Sequence, residues 1–174
     1  MKLYTIQTAD LLPIEEDYYA SFRFVQKNPF SCGDIPLYKW MFEKSSSPLK
    51  KSGTAPVWCW RKWNGFSDAP DLRRAGHAPR GTRCCRMEME VPDEHVLLSQ
   101  FEMWCWVLNG WNIIRNEKER KAPPFSLEES RMHIFDLEFG SESVWGKKQN
   151  RSIQAIIPCI KPEWIIRTKI FVAR

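Results

Sequence analysis

Residues 83–91, RCCRMEMEV, carry the clearest β-strand pattern in this sequence. Every second residue from Cys85 to Val91 is apolar, and the residues between them are charged. A period of two is typical of a β-strand that buries one face, because successive side chains of a strand point to opposite sides. Pro92 follows the pattern and cannot donate to a strand ladder. We therefore predict a half-buried strand over residues 83–91.

Four other segments predict strands, at residues 2–8, 57–63, 152–160 and 165–172. Several of them are joined by connections that are too short for a crossover helix between parallel strands. We therefore expect one α+β domain over residues 1–174, built on a mostly antiparallel sheet with interspersed helices.

Three segments predict helices. Asp34, followed by Ile35 and a proline, suggests an N-cap that opens a helix through residue 44. Ser99 with Glu102, and Ser126 with Glu129, each have the spacing of a capping box, in which two side chains satisfy free backbone donors. We expect a helix after each box, the first of them ending at Asn109.

Composition limits the location and the metal chemistry of the protein. The six cysteines show no C-x-x-C spacing, and no apolar run reaches membrane-spanning length. We therefore expect reduced thiols, a cytoplasmic location and no membrane partner. His77, Cys84 and Cys85 lie close in sequence, but adjacent strand cysteines point to opposite faces, so we expect no metal site.

Positive charge is concentrated in one part of the chain. Residues 39–86 carry eleven Lys or Arg against three acidic residues. A local positive field favours a polyanionic or phosphate-bearing partner, although a solvated basic face would show the same pattern.

Residues 55–86 combine aromatic side chains with Lys and Arg. Trp58 and Trp60 lie two apart on a predicted strand and must share a face, where they either form a stacking wall or pack against the helix predicted after Ser99. Stacking rings followed by guanidinium groups suit a nucleotide or a nucleic acid. The candidate ligand-binding residues are Trp58, Trp60, Arg73, Arg74 and Arg80.

The loop after these tryptophans, residues 67–82, has two interpretations. Asp71 and Arg73 could form an ion pair that orders the loop, or the arginines could hold a phosphate. Neighbouring cations would keep His77 neutral, which suits a donor–acceptor role beside a phosphate. His77 is therefore a candidate catalytic residue. Nucleophile elbows and glycine-rich phosphate loops are absent from the sequence.

Six segments carry a family resemblance: LYTIQ at 3–7, APVWCWRKW at 55–63, PDLRRAGHAPRGTR at 70–83, MEMEVPDEHVLLSQFEMWCWVLN at 87–109, IFDLEF at 134–139 and SIQAIIPCIKPEWI at 152–165. Together they cover well over half of the chain in a fixed order. They resemble the bacterial family of the domain of unknown function 3841. This resemblance implies no established chemistry.

The segment order is also similar, more distantly, to ADP-ribosyltransferase-like domains, which hold NAD in a cleft between two small sheets and cleave its nicotinamide–ribose bond. That similarity implies a split sheet, a ring from Trp58 or Trp60 on the nicotinamide, a phosphate contact from Arg73 or Arg74, and Gln154 on the ribose. The chain departs from the pattern in two places. Gln154 stands where a Glu is usual, and the first strand offers Thr5 and Gln7 where an Arg or His is usual. Gln154 and Gln7 are thus candidate catalytic residues.

Three classes of function remain open at this level. The first is an NAD-using enzyme that transfers ADP-ribose to a macromolecule. The second is a nucleic-acid-binding module that uses the Trp/Arg surface, and the third is an interaction or regulatory protein without a ligand of its own. Salt dependence separates the first two, since nucleic-acid binding weakens steeply with salt through counterion release.

Overall fold

A computed structural model describes residues 1–22, 35–65 and 69–174. The described helices are α1 (Ile35–Glu43), α2 (Phe101–Leu108), α3 (Leu127–Arg131) and α4 (Glu142–Trp145). The described strands are β1 (Lys2–Thr8), β2 (Ala20–Ser21), β3 (Thr54–Ala55), β4 (Val57–Lys62), β5 (Arg83–Glu90), β6 (Leu97–Gln100), β7 (Ile153–Ile157) and β8 (Ile165–Val172). Within these ranges, no helix has both the length and the apolar character needed to cross a membrane.

Six of the strands form one sheet in the order β6-β7-β4-β1-β5-β8, and every neighbouring pair is antiparallel. Strands β2 and β3 form a separate small ribbon. The helices lie between the strands in sequence. This arrangement confirms the predicted α+β class with an antiparallel sheet.

The two three-stranded halves of the sheet meet at β1 and β4. Tyr4 and Trp60 are the one residue pair in register between these strands in the described chain, whereas β1 and β5 pair along seven residues. Where the ladder stops, the Thr5 hydroxyl donates to the carbonyl of Trp58 across 2.7 Å. A side chain thus takes over a bond that backbone groups make elsewhere in the sheet, and the strands part beyond it.

Each face of the sheet covers a separate apolar core. Cys85, Met87 and Met89 of β5 are fully buried on one face together with Cys59 of β4. Trp58 of β4 points to the other face, where it contacts the core formed with α1 and α2. Burial of both faces accounts for the mixture of alternating and continuous apolar stretches in the strands.

Local capping signals had different outcomes. Ser126 and Glu129 form the predicted capping box, with both reciprocal bonds present. The box predicted at Ser99 is wrong, because Ser99 lies in β6 and α2 begins at Phe101 without a side-chain cap. Glu102 instead accepts from the backbone N–H of Ser152 at 3.1 Å, across the sheet. The proposed N-cap Asp34 lies outside the described residues.

Candidate functional site

A cavity of about 350 Å³ lies beside β1 and β4, where these two strands part. It brings together four of the residues singled out in the sequence, Gln7 from β1, Trp58 and Trp60 from β4, and Gln154 from β7. Its volume lies within the range of small-molecule sites, and its mostly apolar walls include six aromatic side chains. Three strands that are distant in sequence therefore build one concave site.

The two tryptophans are placed by the alternation of β4 and by the helix packed over it. Trp58 stacks on Trp104 of α2 with ring centroids 5.5 Å apart, and it meets Tyr38 of α1 edge-on at 5.6 Å. Trp60 contacts Phe101 of α2 edge-on at 4.9 Å. Packing against the helix after Ser99, one of the two predicted roles, is therefore confirmed. Both rings remain half-buried and also line the cavity.

Among the described residues, the indole N–H of Trp58 has no hydrogen-bond partner, although the nitrogen is buried. A buried donor without a partner costs about 1–3 kcal/mol, and such groups are few in folded proteins. Trp58 also lines the cavity, so an acceptor that enters there is one partner that this donor could take.

Gln154 is fixed by its strand neighbours. Its side chain is 3% exposed, lies opposite Trp60 in the β4–β7 register, and donates from Nε2 to the Ser99 hydroxyl across 3.0 Å. The bond to Ser99 holds the amide in one orientation at the cavity wall. A neutral amide in this position can form hydrogen bonds but cannot supply a negative charge.

Gln7 is joined to the same wall through a short polar chain. Its Nε2 donates to the Thr5 hydroxyl at 2.9 Å, and that hydroxyl donates in turn to the Trp58 carbonyl. Thr5 is completely buried, so the chain is shielded from solvent at its centre. Gln7 therefore positions the junction of β1 and β4 as well as lining the cavity.

The arginines of the 69–82 loop do not line this cavity. Arg73 makes a two-pronged ion pair with Asp71, with both N–O distances at 2.9 Å, so the predicted local ion pair is present. These hydrogen bonds lower the pKa of the Asp71 carboxyl to about 2. With the Asn64 amide oxygen turned towards it, Arg74 donates to that oxygen at 2.7 Å. Arg80 is exposed.

His77 lies in the same loop and is also absent from the cavity lining. Its Nε2 contacts the carbonyl oxygen of Asp71 at 2.9 Å, so this nitrogen carries the hydrogen. The ring lies 5.5 Å from Trp63, and Trp63 meets Trp60 edge-on at 4.4 Å. The rings of His77, Trp63 and Trp60 thus form a row that connects the 69–82 loop to the cavity wall.

Four aromatic residues of the site were not among the predicted site residues: Tyr18, Tyr38, Phe101 and Trp104. Tyr38 belongs to the apolar stripe of α1, where Leu37, Tyr38, Met41 and Phe42 are buried at helical spacing. That spacing is the signal that could have found it. Cys105 also lines the cavity, and burial raises the pKa of its thiol. In the described ranges no cluster of three His, Cys, Asp or Glu could hold a metal ion.

Arg151 supports the site from behind β7. Its guanidinium is 2% exposed and donates to the carbonyls of Phe139, Gly140 and Gly146 and to Gln100 Oε1, at 2.6–3.2 Å. Burial lowers the pKa of this group. The contacts join the 139–146 segment to the ends of β6 and β7, three residues before Gln154.

Comparison with known proteins gives one match. The model of a family described as "Domain of unknown function (DUF3841)" matches residues 2–155, which include all four predicted residues of the cavity. Neither a curated protein nor a solved structure matches the chain.

Proposed function

This chain belongs to the DUF3841 family, and we propose that it binds NAD in the cavity between β1 and β4 and transfers ADP-ribose to a macromolecule. One observation carries the proposal. Gln7, Trp58, Trp60 and Gln154, the residues that the resemblance to ADP-ribosyltransferase-like domains assigns to this chemistry, all line the same cavity.

The residues present fit the nicotinamide–ribose part of such a substrate, whereas none of the described lining residues is a Lys or Arg that could hold its pyrophosphate. Aromatic walls accept a flat ring, and the free N–H of Trp58 can donate to a carboxamide oxygen or a ribose hydroxyl. NAD supplies an ADP-ribosyl group whose bond to nicotinamide breaks, the electron pair leaving with the nicotinamide. The oriented amide oxygen of Gln154 would face the positive charge that develops on the ribose, a contact worth more in a water-poor cavity than in solvent.

Gln154 sets the expected level of activity. An amide dipole stabilises positive charge less than a carboxylate does, so we expect slow transfer by the protein as it stands. Gln154→Glu retains the shape of the side chain and adds the charge, and we expect this variant to transfer faster.

Calorimetric titration with NAD tests the proposal. We expect saturable binding with little salt dependence, loss of binding in Gln154→Ala, and unchanged binding in the control Gln149→Ala, whose side chain is exposed outside the cavity. Circular dichroism establishes that each variant is folded. Failure of the wild-type protein to bind NAD at millimolar concentration would refute the proposal. Equal binding by Gln154→Ala would remove Gln154 from the site.

A second candidate function rests on the 69–82 loop, where Arg73, Arg74 and Arg80 are all exposed. Exposed guanidinium groups beside the rings of His77 and Trp63 suit the phosphates and bases of a single-stranded nucleic acid. Titration with a short oligonucleotide at low and moderate salt tests this function. Binding that weakens steeply with salt and is lost in Arg73→Ala/Arg74→Ala supports it, and salt-independent or absent binding excludes it.

A further inference from the structure

Strand β8 is the last strand at one end of the sheet. It pairs with β5 along one side, and no strand within the described ranges pairs with its other side. In an antiparallel strand, every second residue points its N–H and C=O away from the existing neighbour. The outer side of β8 therefore presents a row of donors and acceptors that can take another strand.

One face of β8 is apolar and exposed. The register places Ile170 opposite the fully buried Cys85, so the apolar face of β5 continues onto β8. Ile170 is 48% exposed and Val172 is 59% exposed on this face, and Ile166, at the bulge near the start of the strand, is 59% exposed. These are three of the five large hydrophobic side chains that are exposed in the described chain. The burial of this apolar face thus ends at β5, and the apolar side chains of β8 remain exposed.

The opposite face of β8 is cationic. Arg167 and Lys169 are exposed there; Arg86 of β5 lies opposite Lys169 and Glu88 of β5 opposite Arg167, so these four residues carry a net positive charge. Antiparallel pairing of two copies about Thr168 would place Arg167 of one copy opposite Lys169 of the other. Like charges directly opposite each other destabilise a strand pair, so charge disfavours a second copy as the occupant.

We propose that β8 is a docking edge for an extended segment of another protein in which acidic residues alternate with β-branched apolar residues. The acidic side chains face Arg167 and Lys169, and the apolar side chains cover Ile170 and Val172. Backbone bonds to the free edge supply affinity, and this alternation supplies specificity. The regular part of the strand, from Arg167 to Val172, sets the length of the docked segment at about six residues.

Fluorescence anisotropy with labelled peptides tests the proposal on the full chain. The probe is a peptide of about eight residues that alternates Glu and Val, and it is compared with an alternating Lys/Val peptide and with a Glu/Val peptide in which the two residues form separate blocks. We expect the alternating Glu/Val peptide to bind at least about tenfold more tightly than either of the others. Equal binding of all three, or binding of none, would overturn the proposal.

Reversing the charge of the two cationic residues on β8 tests whether the peptide binds at this strand. Arg167→Glu/Lys169→Glu should reverse the preference in favour of the Lys/Val peptide. The matched control Lys118→Glu/Lys121→Glu, which changes the charge equally at exposed residues outside the sheet, should retain the preference for Glu. The same loss of binding in both variants would show non-specific attraction and contradict the docking edge. Light scattering that finds a dimer dissociated by Ile170→Glu would show that a second copy occupies the edge, which also overturns the proposal.

Discussion

Replacement of Trp145 by phenylalanine should destabilise the protein far more than the same replacement of Trp58. Both changes remove the same atoms, including one indole N–H. The N–H of Trp145 donates to the carbonyl of Ile114 at 2.7 Å in a buried environment, whereas the buried N–H of Trp58 has no partner. The pair of variants therefore isolates the cost of the orphaned donor at the cavity.

The expected magnitudes follow from these contacts. The smaller ring loses packing worth about 1–2 kcal/mol in either position. Trp145→Phe also leaves the Ile114 carbonyl unsatisfied, which adds about 1–3 kcal/mol. Trp58→Phe removes an unsatisfied donor, so a similar amount is regained. We expect Trp145→Phe to lower the free energy of unfolding by about 3 kcal/mol and Trp58→Phe to change it by less than about 1 kcal/mol.

Urea unfolding, followed by circular dichroism, measures both values. A comparable loss of stability in the two variants would refute the reasoning, because it would show that the Trp58 N–H is satisfied in solution. Titration with NAD adds a second test. If the orphaned N–H is a ligand contact, Trp58→Phe should weaken NAD binding about tenfold while Trp145→Phe leaves it unchanged.

Three further predictions concern the surrounding framework. Arg151→Met removes the donor from four acceptors, of which those on Phe139 and Gln100 are buried. It should lower the free energy of unfolding by about 3–5 kcal/mol in the same assay, and a loss below about 1 kcal/mol would contradict the supporting role. Gly65→Ala places a Cβ 2.1 Å from a backbone atom at a φ of +70°, whereas the Cβ of Gly53→Ala, at a φ of +78°, meets nothing within 4 Å. Both variants carry the same backbone strain, so Gly65→Ala should lower the melting temperature more. Equal shifts in melting temperature would contradict the close approach at Gly65. The lowered pKa of Asp71 means that its ion pair with Arg73 is fully formed above about pH 4 and is lost as the pH falls through about 2. In Arg73→Ala, NMR titration should show the Asp71 titration midpoint move up to the ordinary value for an aspartate. An unmoved midpoint would contradict the assignment of the shift to Arg73.

Two elements followed their sequence signals. Strand β1 has the predicted bounds, and the Ser126 capping box is present as the spacing requires. The Ser99 box had the same spacing but did not form. Ser99 accepts a hydrogen bond from Gln154 on β7, and a partner 55 residues away is not visible in a four-residue pattern. Strand pairing therefore overrode a local helix signal.

Alternation and capping depend on side chains a few positions apart, so the sequence was enough to predict the α+β class and the faces of the strands, whereas Gln7 and Gln154 became candidates through the resemblance to ADP-ribosyltransferase-like domains. The tertiary structure alone decided that Gln7, Trp58 and Gln154 share a cavity while the arginines of the basic loop remain outside it. That choice depends on strand order and on where β1 parts from β4. Both are set by the burial of apolar surface summed over the whole sheet, and no short stretch of the chain encodes that sum.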